Sequence, residues 1–543
     1  MTIITGGTVV DGTGRAAFRG DVVVDGDRIV DVLHSDEKSG ASATPGSQPS
    51  TFNFIDASGC LVTPGFVDAH AHSDAYLVIE PDAPSKLAQG VTTEINGQCG
   101  GSVAPRYGEA RLSSDWAALL GDRLTWRSLA EYREVLEKAK PALNTVQFIG
   151  HNTLRSSVVG YCGRPSTDDE LKKMSRLLEE SLDAGGWGLT TGLIYQPGRY
   201  STPQEVVALA KVAAAKGGYY ATHMRSEGDA ILEAIDEVLA LVEATGIRAE
   251  ISHLKTSGRR NWHKIDAVID KIGRAVGEGR LLGSDRYPYC AAGTDLDIVL
   301  PDWAQEGAAK AEMERLADPA TRARIEDEVN ASGRDWSTVM VGGTWSEENR
   351  RYSGKTVAEI VEGQMTDDKG QADDGWRMSP ATPGGIICRI LERDCCKTGA
   401  FFFGMSEENL AKIYSQPWIV PGSDASLRAP WGPLGADHPH PRAYGTMPEF
   451  YRRVRALGFS REETIARMTS VPARRFGLRG RGVLEKGAFA DVAVWSEGEF
   501  ASSATYVEPH KFAAGMKCVM VNGTVPYLNG RFTGERGGRF LEP

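Results

Sequence analysis

The sequence predicts an α/β protein: a (β/α)8 TIM barrel with an insertion between strands 7 and 8, joined to a small β-sandwich domain built from both chain ends. Three observations lead there. Short apolar runs alternate with amphipathic helical stretches through the middle of the chain, the pattern of repeated βα units. Both ends read instead as short polar–apolar alternations punctuated by glycine and aspartate, the signature of antiparallel strands. Histidines, a cysteine and an aspartate close several of the central runs, where barrels build their active sites.

Taken in order, "TIITGGTVVDG", "GDVVVDGDRIVDVL" and "TFNFIDASGCLVTPG" give the first strands of the small domain, with an exposed loop over 36–50. "GVLEKGAFADVAVW" and "CVMVNGTVPYLNGRFTG" return to the same style at the other end. Residues 1–62 and 479–543 are therefore expected to pair into one small β-domain around a barrel over 63–478. The expected barrel strands are "FVDAHAH", "VTTEING", "TVQFIGH", "GLTTGLIY", "GYYATHM", "RAEISHL", "LLGSDRYPY" and "PWIVPGSD". Helices such as "TDDELKKMSRLLEESLDAG" and "EGDAILEAIDEVLALVEATG" lie between them, with apolar residues three and four apart. The longest interruption, about 296–415, is rich in charge and reads as a lid or cap.

Composition narrows the function. Across 543 residues, 61 basic and 72 acidic side chains leave a net charge of −11, which argues against nucleic acid or an anionic membrane surface as the main partner. The N-terminus lacks the basic and apolar regions of a signal peptide, and no apolar run approaches the roughly 18 residues of a membrane span. The eight cysteines include no CxxC pair, so a reducing cytoplasm is the expected location. A small-molecule substrate is the expected partner, and a homo-oligomer is compatible with all of this.

The chemistry concentrates at the strand ends. His70 and His72 stand two residues apart on one strand, so both side chains leave the same face. Cys99 closes "VTTEINGQCGG", His151 ends "TVQFIGH", His223 ends "GYYATHM", His253 ends "AEISHL" and Asp424 ends "WIVPGSD". Five of the ten histidines thus fall at one barrel mouth. A lone histidine or cysteine on an apolar strand is usually a packed core residue. A mixed imidazole, thiolate and carboxylate set at one mouth instead suits zinc.

"PGFVDAHAHSD", "QGVTTEINGQCGGSVAP", "GWGLTTGLIYQPG", "YATHMRSEGDAILEAIDE", "ISHLK", "YPY", "GSDA", "HPHPRAYGTMPEF" and "LEKGAFADVAVW" occur in this order. In these stretches the chain resembles the D-aminoacylases, the N-acyl-D-amino-acid deacylases of the amidohydrolase superfamily. The resemblance implies that Cys99, His223 and His253 hold one tight zinc. It implies that His70, His72 and Asp424 form a second, weaker metal position with Cys99 between the two, and that Asp424 is the catalytic acid and base. Hydantoinase-like relatives use a carboxylated lysine on the fourth strand; "GLTTGLIY" has none. Lys255, Tyr287 and Arg442 match positions that hold a substrate carboxylate, and arginine grips such a group in bidentate fashion. The family's serine after "YPY" has no counterpart, and Thr294 is the nearest hydroxyl, shifted by one. Tyr195 is a candidate donor to the substrate carbonyl, His151 a candidate for orienting the site, and Arg225 a candidate partner of Glu227. Cys395 and Cys396 read as structural.

The implied reaction is hydrolysis of the amide of an N-acyl-D-amino acid to a carboxylic acid and a free D-amino acid. Zinc lowers the pKa of water toward about 7, and Asp424 moves the proton to the leaving amine. One alternative is a cyclic amide hydrolase or dipeptidase, against which the strand-four sequence counts. Another is a non-catalytic scaffold on the same fold, which predicts lost ligands where this chain keeps every one.

Overall fold

The computed structural model describes residues 1–35, 53–110, 112, 114–367 and 381–543; the loop expected over 36–50 lies outside them. Eight parallel strands form the barrel: β1 (Phe66–Asp68), β2 (Val91–Asn96), β3 (Asn144–Gln147, continued by Ile149–Gly150), β4 (Gly188–Gly192), β5 (Tyr219–His223), β6 (Arg248–Ile251), β7 (Leu282–Arg286) and β8 (Ile419–Pro421). Each coincides with an apolar run read from the sequence. β1 to β3 pair in order, and β3 to β8 pair in order. Phe148 N–H donates to Asn96 O at 3.0 Å between β2 and β3. The ring closes where Ala69 N–H donates to Pro421 O at 3.1 Å and Asp424 N–H donates to His70 O at 2.8 Å.

The barrel strands are short and their interior is packed. β2, β4, β5 and β7 are buried at every position. Helices cover the outside with one apolar face. In the helix Ile231–Thr245 the buried set is Ile231, Ala234, Ile235, Val238, Leu241 and Val242, and Gly246 ends it in the left-handed conformation. Each large side chain buried this way contributes about 1.5–3 kcal/mol. A capping box of Thr167 and Glu170 starts the helix Asp168–Asp183.

The chain ends meet in a nine-stranded sheet in which Leu61–Pro64 pairs with Thr2–Val9 on one side and Val492–Trp495 on the other. Ile29 and Val22 from one end of this sheet share a core cluster with Cys518 and Met520 from the other end, so the sheet folds over on itself. Between β7 and β8 the chain builds a separate unit. Ala291–Asp295, Gly399–Phe403 and Val339–Val341 form a small antiparallel sheet, with helices such as Pro319–Ala331 and Pro383–Arg393 packed around a core of their own. Gly293, Phe401 and Met405 of this unit line the same cavity as His72, Cys99 and Asp424, so the insertion roofs the barrel mouth.

Candidate metal centre and substrate site

The candidate ligands arrive from different strands, and the backbone is bent to present them. Cys99, His253 and Asp424 all have positive φ (54°, 36° and 49°), a conformation non-glycine residues rarely adopt. Held strain of this kind persists only where the surroundings enforce it. Gly100 shows how: a Cβ there would lie 2.5 Å from Asn152 Oδ1 and from Gly192 N, so the loop carrying Cys99 is pressed against β4. At the last strand, a Cβ on Gly422 would lie 2.5 Å from Asp285 Oδ1 and 2.7 Å from the Cβ of His70, which lets Asp424 reach the centre.

The ligand atoms of His70, Cys99, His253 and Asp424 lie within 4.8 Å of one another, and those of His223, Glu227 and His253 form an adjoining set. Cys99 Sγ is 3.4 Å from His70 Nε2 and 3.3 Å from His253 Nε2. Asp424 Oδ1 is 3.1 Å from His72 Nε2 and 3.4 Å from His70 Nε2. The rings of His223 and His253 stand 4.5 Å apart. Neither ring nitrogen of His223 has a hydrogen-bond partner, and Nε2 is 3.6 Å from Glu227 Oε2, beyond hydrogen-bond length. A buried imidazole with two idle nitrogens beside a thiolate and a carboxylate fits a metal ligand. The residues present therefore suit zinc.

Electrostatics agree with that reading. Burial works against a charged Cys99, yet the imidazoles of His70 and His253 hold its thiol well below the usual range. Burial would likewise raise Asp424, but Arg442 and His253 hold its carboxyl well below the ordinary value. Burial opposes charge on His70, while Asp285 beside it drives its pKa well above 6.5.

Asp285, which the sequence reading does not single out, holds two candidate ligands at once. Its Oδ2 is 3.3 Å from His70 Nδ1, and its Oδ1 accepts from the backbone N–H of His253 at 3.0 Å. A charge inside the buried run "LLGSDRYPY" was the available signal. Fixing the far nitrogen of a ligating histidine sets its tautomer and orientation. Glu227 is a second such residue: its Oε1 is 3.0 Å from His253 Nδ1 and 2.5 Å from Lys255 Nζ.

Lys255, Tyr287 and Arg442 meet as the sequence reading expects. Lys255 Nζ is 5.9 Å and the Arg442 guanidinium 4.6 Å from the centroid of the Tyr287 ring. The Tyr287 hydroxyl is buried without a partner. Burial raises its pKa, but Lys255, Arg286 and Arg442 outweigh it and the net direction is down. Arg442 Nη1 lies 2.8 Å from Asp424 Oδ2, an ion contact between a candidate anion-binding group and the candidate acid/base. Tyr195 faces the cavity with its ring 4.9 Å from that of His223, and Thr294 lines the same space.

Two expectations need correction. His151 does not reach the cavity. It opens a helix, His151–Val158, and its Nε2 is 2.8 Å from Glu205 Oε1, which also binds Arg155, in a fully buried pair that explains a histidine there without a ligand. Arg225 binds Glu237 at 2.9 Å, leaving Glu227 to Lys255 and the histidines. A cavity of about 1840 Å3 opens from this centre under the insertion.

A parallel barrel with imidazole, thiolate and carboxylate donors gathered at its C-terminal mouth describes a class of metal-dependent hydrolases. The amidohydrolase family model matches residues 53–334 and 402–527, and the chain belongs to that family. It is 32% identical over 99% of its length to an N-acyl-D-glutamate deacylase of Alcaligenes xylosoxydans xylosoxydans, covering 96% of that protein, and 31% identical over 99% to a D-aminoacylase from the same organism, covering 97%. A D-aminoacylase crystal structure superposes with a TM-score of 0.80 at 30% identity, covering 100% of this chain and 99% of the other. The N-acyl-D-glutamate deacylase of Bordetella bronchiseptica, solved with zinc and a phosphonate mimic of the tetrahedral intermediate, does so equally well at 0.80 and 30%, with 100% and 99% covered.

Proposed function

We propose that the protein is a zinc-dependent hydrolase that cleaves N-acyl-D-amino acids to a carboxylic acid and a free D-amino acid. The observation that carries the reading is the pairing at one mouth of a metal-ligand cluster with an adjoining anion cradle of Lys255, Tyr287 and Arg442, which touches it through Asp424 and His253. The similarity to enzymes named for N-acyl-D-amino acids supports the substrate class and its handedness.

Cys99, His223 and His253 would hold one zinc tightly, with His70, His72 and Asp424 offering a weaker second position beside it. When bound, zinc supplies Lewis acidity and lowers the pKa of water so that a nucleophile is present at neutral pH. The chain's own residues do the rest. Asp424, kept ionised by Arg442 and His253, accepts the proton of the attacking water and returns it to the leaving amine nitrogen. Arg442 is the residue through which substrate and base communicate, because the guanidinium that touches Asp424 Oδ2 also faces the carboxylate cradle. The Tyr287 hydroxyl, lacking any partner, donates to the substrate carboxylate beside Lys255. Tyr195 stands against His223, placed to donate to the carbonyl oxygen as it gains charge.

The same reading includes a barrel over 63–478, a small β-domain from 1–62 and 479–543, and a reducing cytoplasm, which suits eight cysteines that are all free. No helix among the described residues is long and apolar enough to cross a membrane. The test is a screen of matched N-acyl-D- and N-acyl-L-amino acids for amine release. Turnover of D-substrates with little or none of L-substrates is expected; turnover of neither, in zinc-loaded protein, would overturn the assignment.

A further inference from the structure

The cavity is larger than an N-acetyl amino acid needs. Drug-sized ligands fill pockets of about 300–1,000 Å3, and this one encloses about 1840 Å3. Its two sides differ. The carboxylate cradle comes from Lys255 after β6, Tyr287 after β7 and Arg442 after β8, and the ligand cluster sits at the centre. An amide held over that cluster with its amino-acid carboxylate in the cradle directs its acyl group away from β6–β8, toward the loops after β1 and β2.

Those loops supply Tyr76, Leu112, Trp116, Leu119 and Leu124 to an apolar arm of the same cavity, which Leu434 from the segment after β8 also lines. Tyr76, Leu112, Trp116 and Leu434 are buried, and Leu119 and Leu124 pack partly buried against the same core. In the helix Ser114–Leu120, Trp116 and Leu119 are three residues apart and so share a face. The Trp116 ring meets the ring of Tyr76 edge-on at 6.2 Å. Tyr76 opens the turn just past His72, so the arm begins next to the ligand cluster. Buried apolar walls continuous with a reaction centre favour an apolar occupant, since each methylene removed from water adds favourable transfer energy.

We infer that this arm is the acyl subsite and that the preferred substrates carry a long or bulky apolar acyl group rather than acetyl. The inference rests on the deacylase reading above, because only that reaction places an acyl group on this side. A methylene fully buried in such an arm raises kcat/KM by up to about fourfold. A partly lined arm should give roughly 10- to 100-fold between acetyl and hexanoyl.

The experiment is a chain-length series, acetyl, butanoyl, hexanoyl and octanoyl, on one D-amino acid that the zinc enzyme cleaves. Rising kcat/KM with length is expected, carried mainly by KM. The Trp116→Ala variant should lose at least about tenfold more on octanoyl than on acetyl, and Trp116→Phe should restore most of the difference; zinc content and melting temperature identify a variant that merely misfolds. A flat or falling series in wild-type enzyme overturns the acyl-arm proposal while leaving the deacylase reading intact. Leu124→Ala is measured alongside as a second lining variant, and equal losses by both variants on both substrates overturn the acyl-arm proposal as well. Cleavage of no member of the series is failure of the deacylase reading itself.

Discussion

Two buried charge clusters lie side by side where β1, β2 and β8 end, and they are built on opposite principles. In one, Lys86 Nζ reaches Asp68 Oδ2 at 2.8 Å, Glu94 Oε1 at 2.9 Å, Ser423 Oγ at 2.9 Å and Ala425 O at 3.0 Å. An ammonium has three protons to give, so this one is saturated. Asp68 also accepts from the backbone N–H of Ser423 at 2.8 Å, which ties β8 to β1. In the other, at the ligand cluster and cradle, both nitrogens of His223, the Tyr287 hydroxyl and Arg442 Nε have no hydrogen-bond partner. A buried polar group without a partner costs about 1–3 kcal/mol, and a fold keeps several together only where something else completes them. In the first cluster Glu94 Oε2 is left over, and in the second Lys255 is fully engaged by Glu227 and His253, while the partnerless atoms belong to His223, Tyr287 and Arg442. The cluster around Lys86 ties the mouth together, and the more unsaturated one leaves groups for a ligand.

That contrast can be broken by substitution. The largest effect on turnover is expected from Asp424→Asn, which keeps size and zinc but cannot accept the proton: kcat should fall by about 10²–10⁴, the contribution of a positioned acid/base. Zinc content measured alongside separates this from ligand loss, and wild-type turnover by the variant would remove Asp424 from the mechanism. Lys86→Met should act on stability instead. It leaves Asp68 and Glu94 buried without their cation and should cost about 3–5 kcal/mol in denaturant unfolding; an unchanged midpoint would mean the cluster is not structural. Arg442→Ala should lower kcat/KM for an N-acyl amino acid by about 10- to 150-fold, from about 1.5–3 kcal/mol for a lost charged hydrogen bond. A matched N-acyl amine, lacking the carboxylate, should suffer far less. Equal losses on both substrates would show that Arg442 does not read the carboxylate.

The same contrast explains what the sequence disclosed. Buried parallel strands leave continuous apolar runs, so all eight barrel strands were legible, as were the histidines that interrupt their C-terminal ends. Long-range partners were not. His151 ends a strand run just as His223 does, and only the arrival of Glu205 from a helix 54 residues further on gives it a buried partner away from the cavity. Asp285, Glu94 and Lys86 stand out in retrospect as charges at wholly buried positions, but which is paired to hold the barrel and which to orient a ligand depends on neighbours that spacing alone does not give. The acyl arm was illegible for a simpler reason: Tyr76, Trp116 and Leu434 come from three loops with no shared pattern.

The central claim is that the unsaturated cluster holds a catalytic zinc, and metal analysis joined to an activity assay tests it most directly. Purified protein should carry about one zinc per chain, lose amine release from an N-acyl-D-amino acid when a chelator removes the metal, and regain it when zinc is restored. The His223→Ala variant should fail to retain the ion while keeping its fold. Full turnover by metal-free protein would contradict the account.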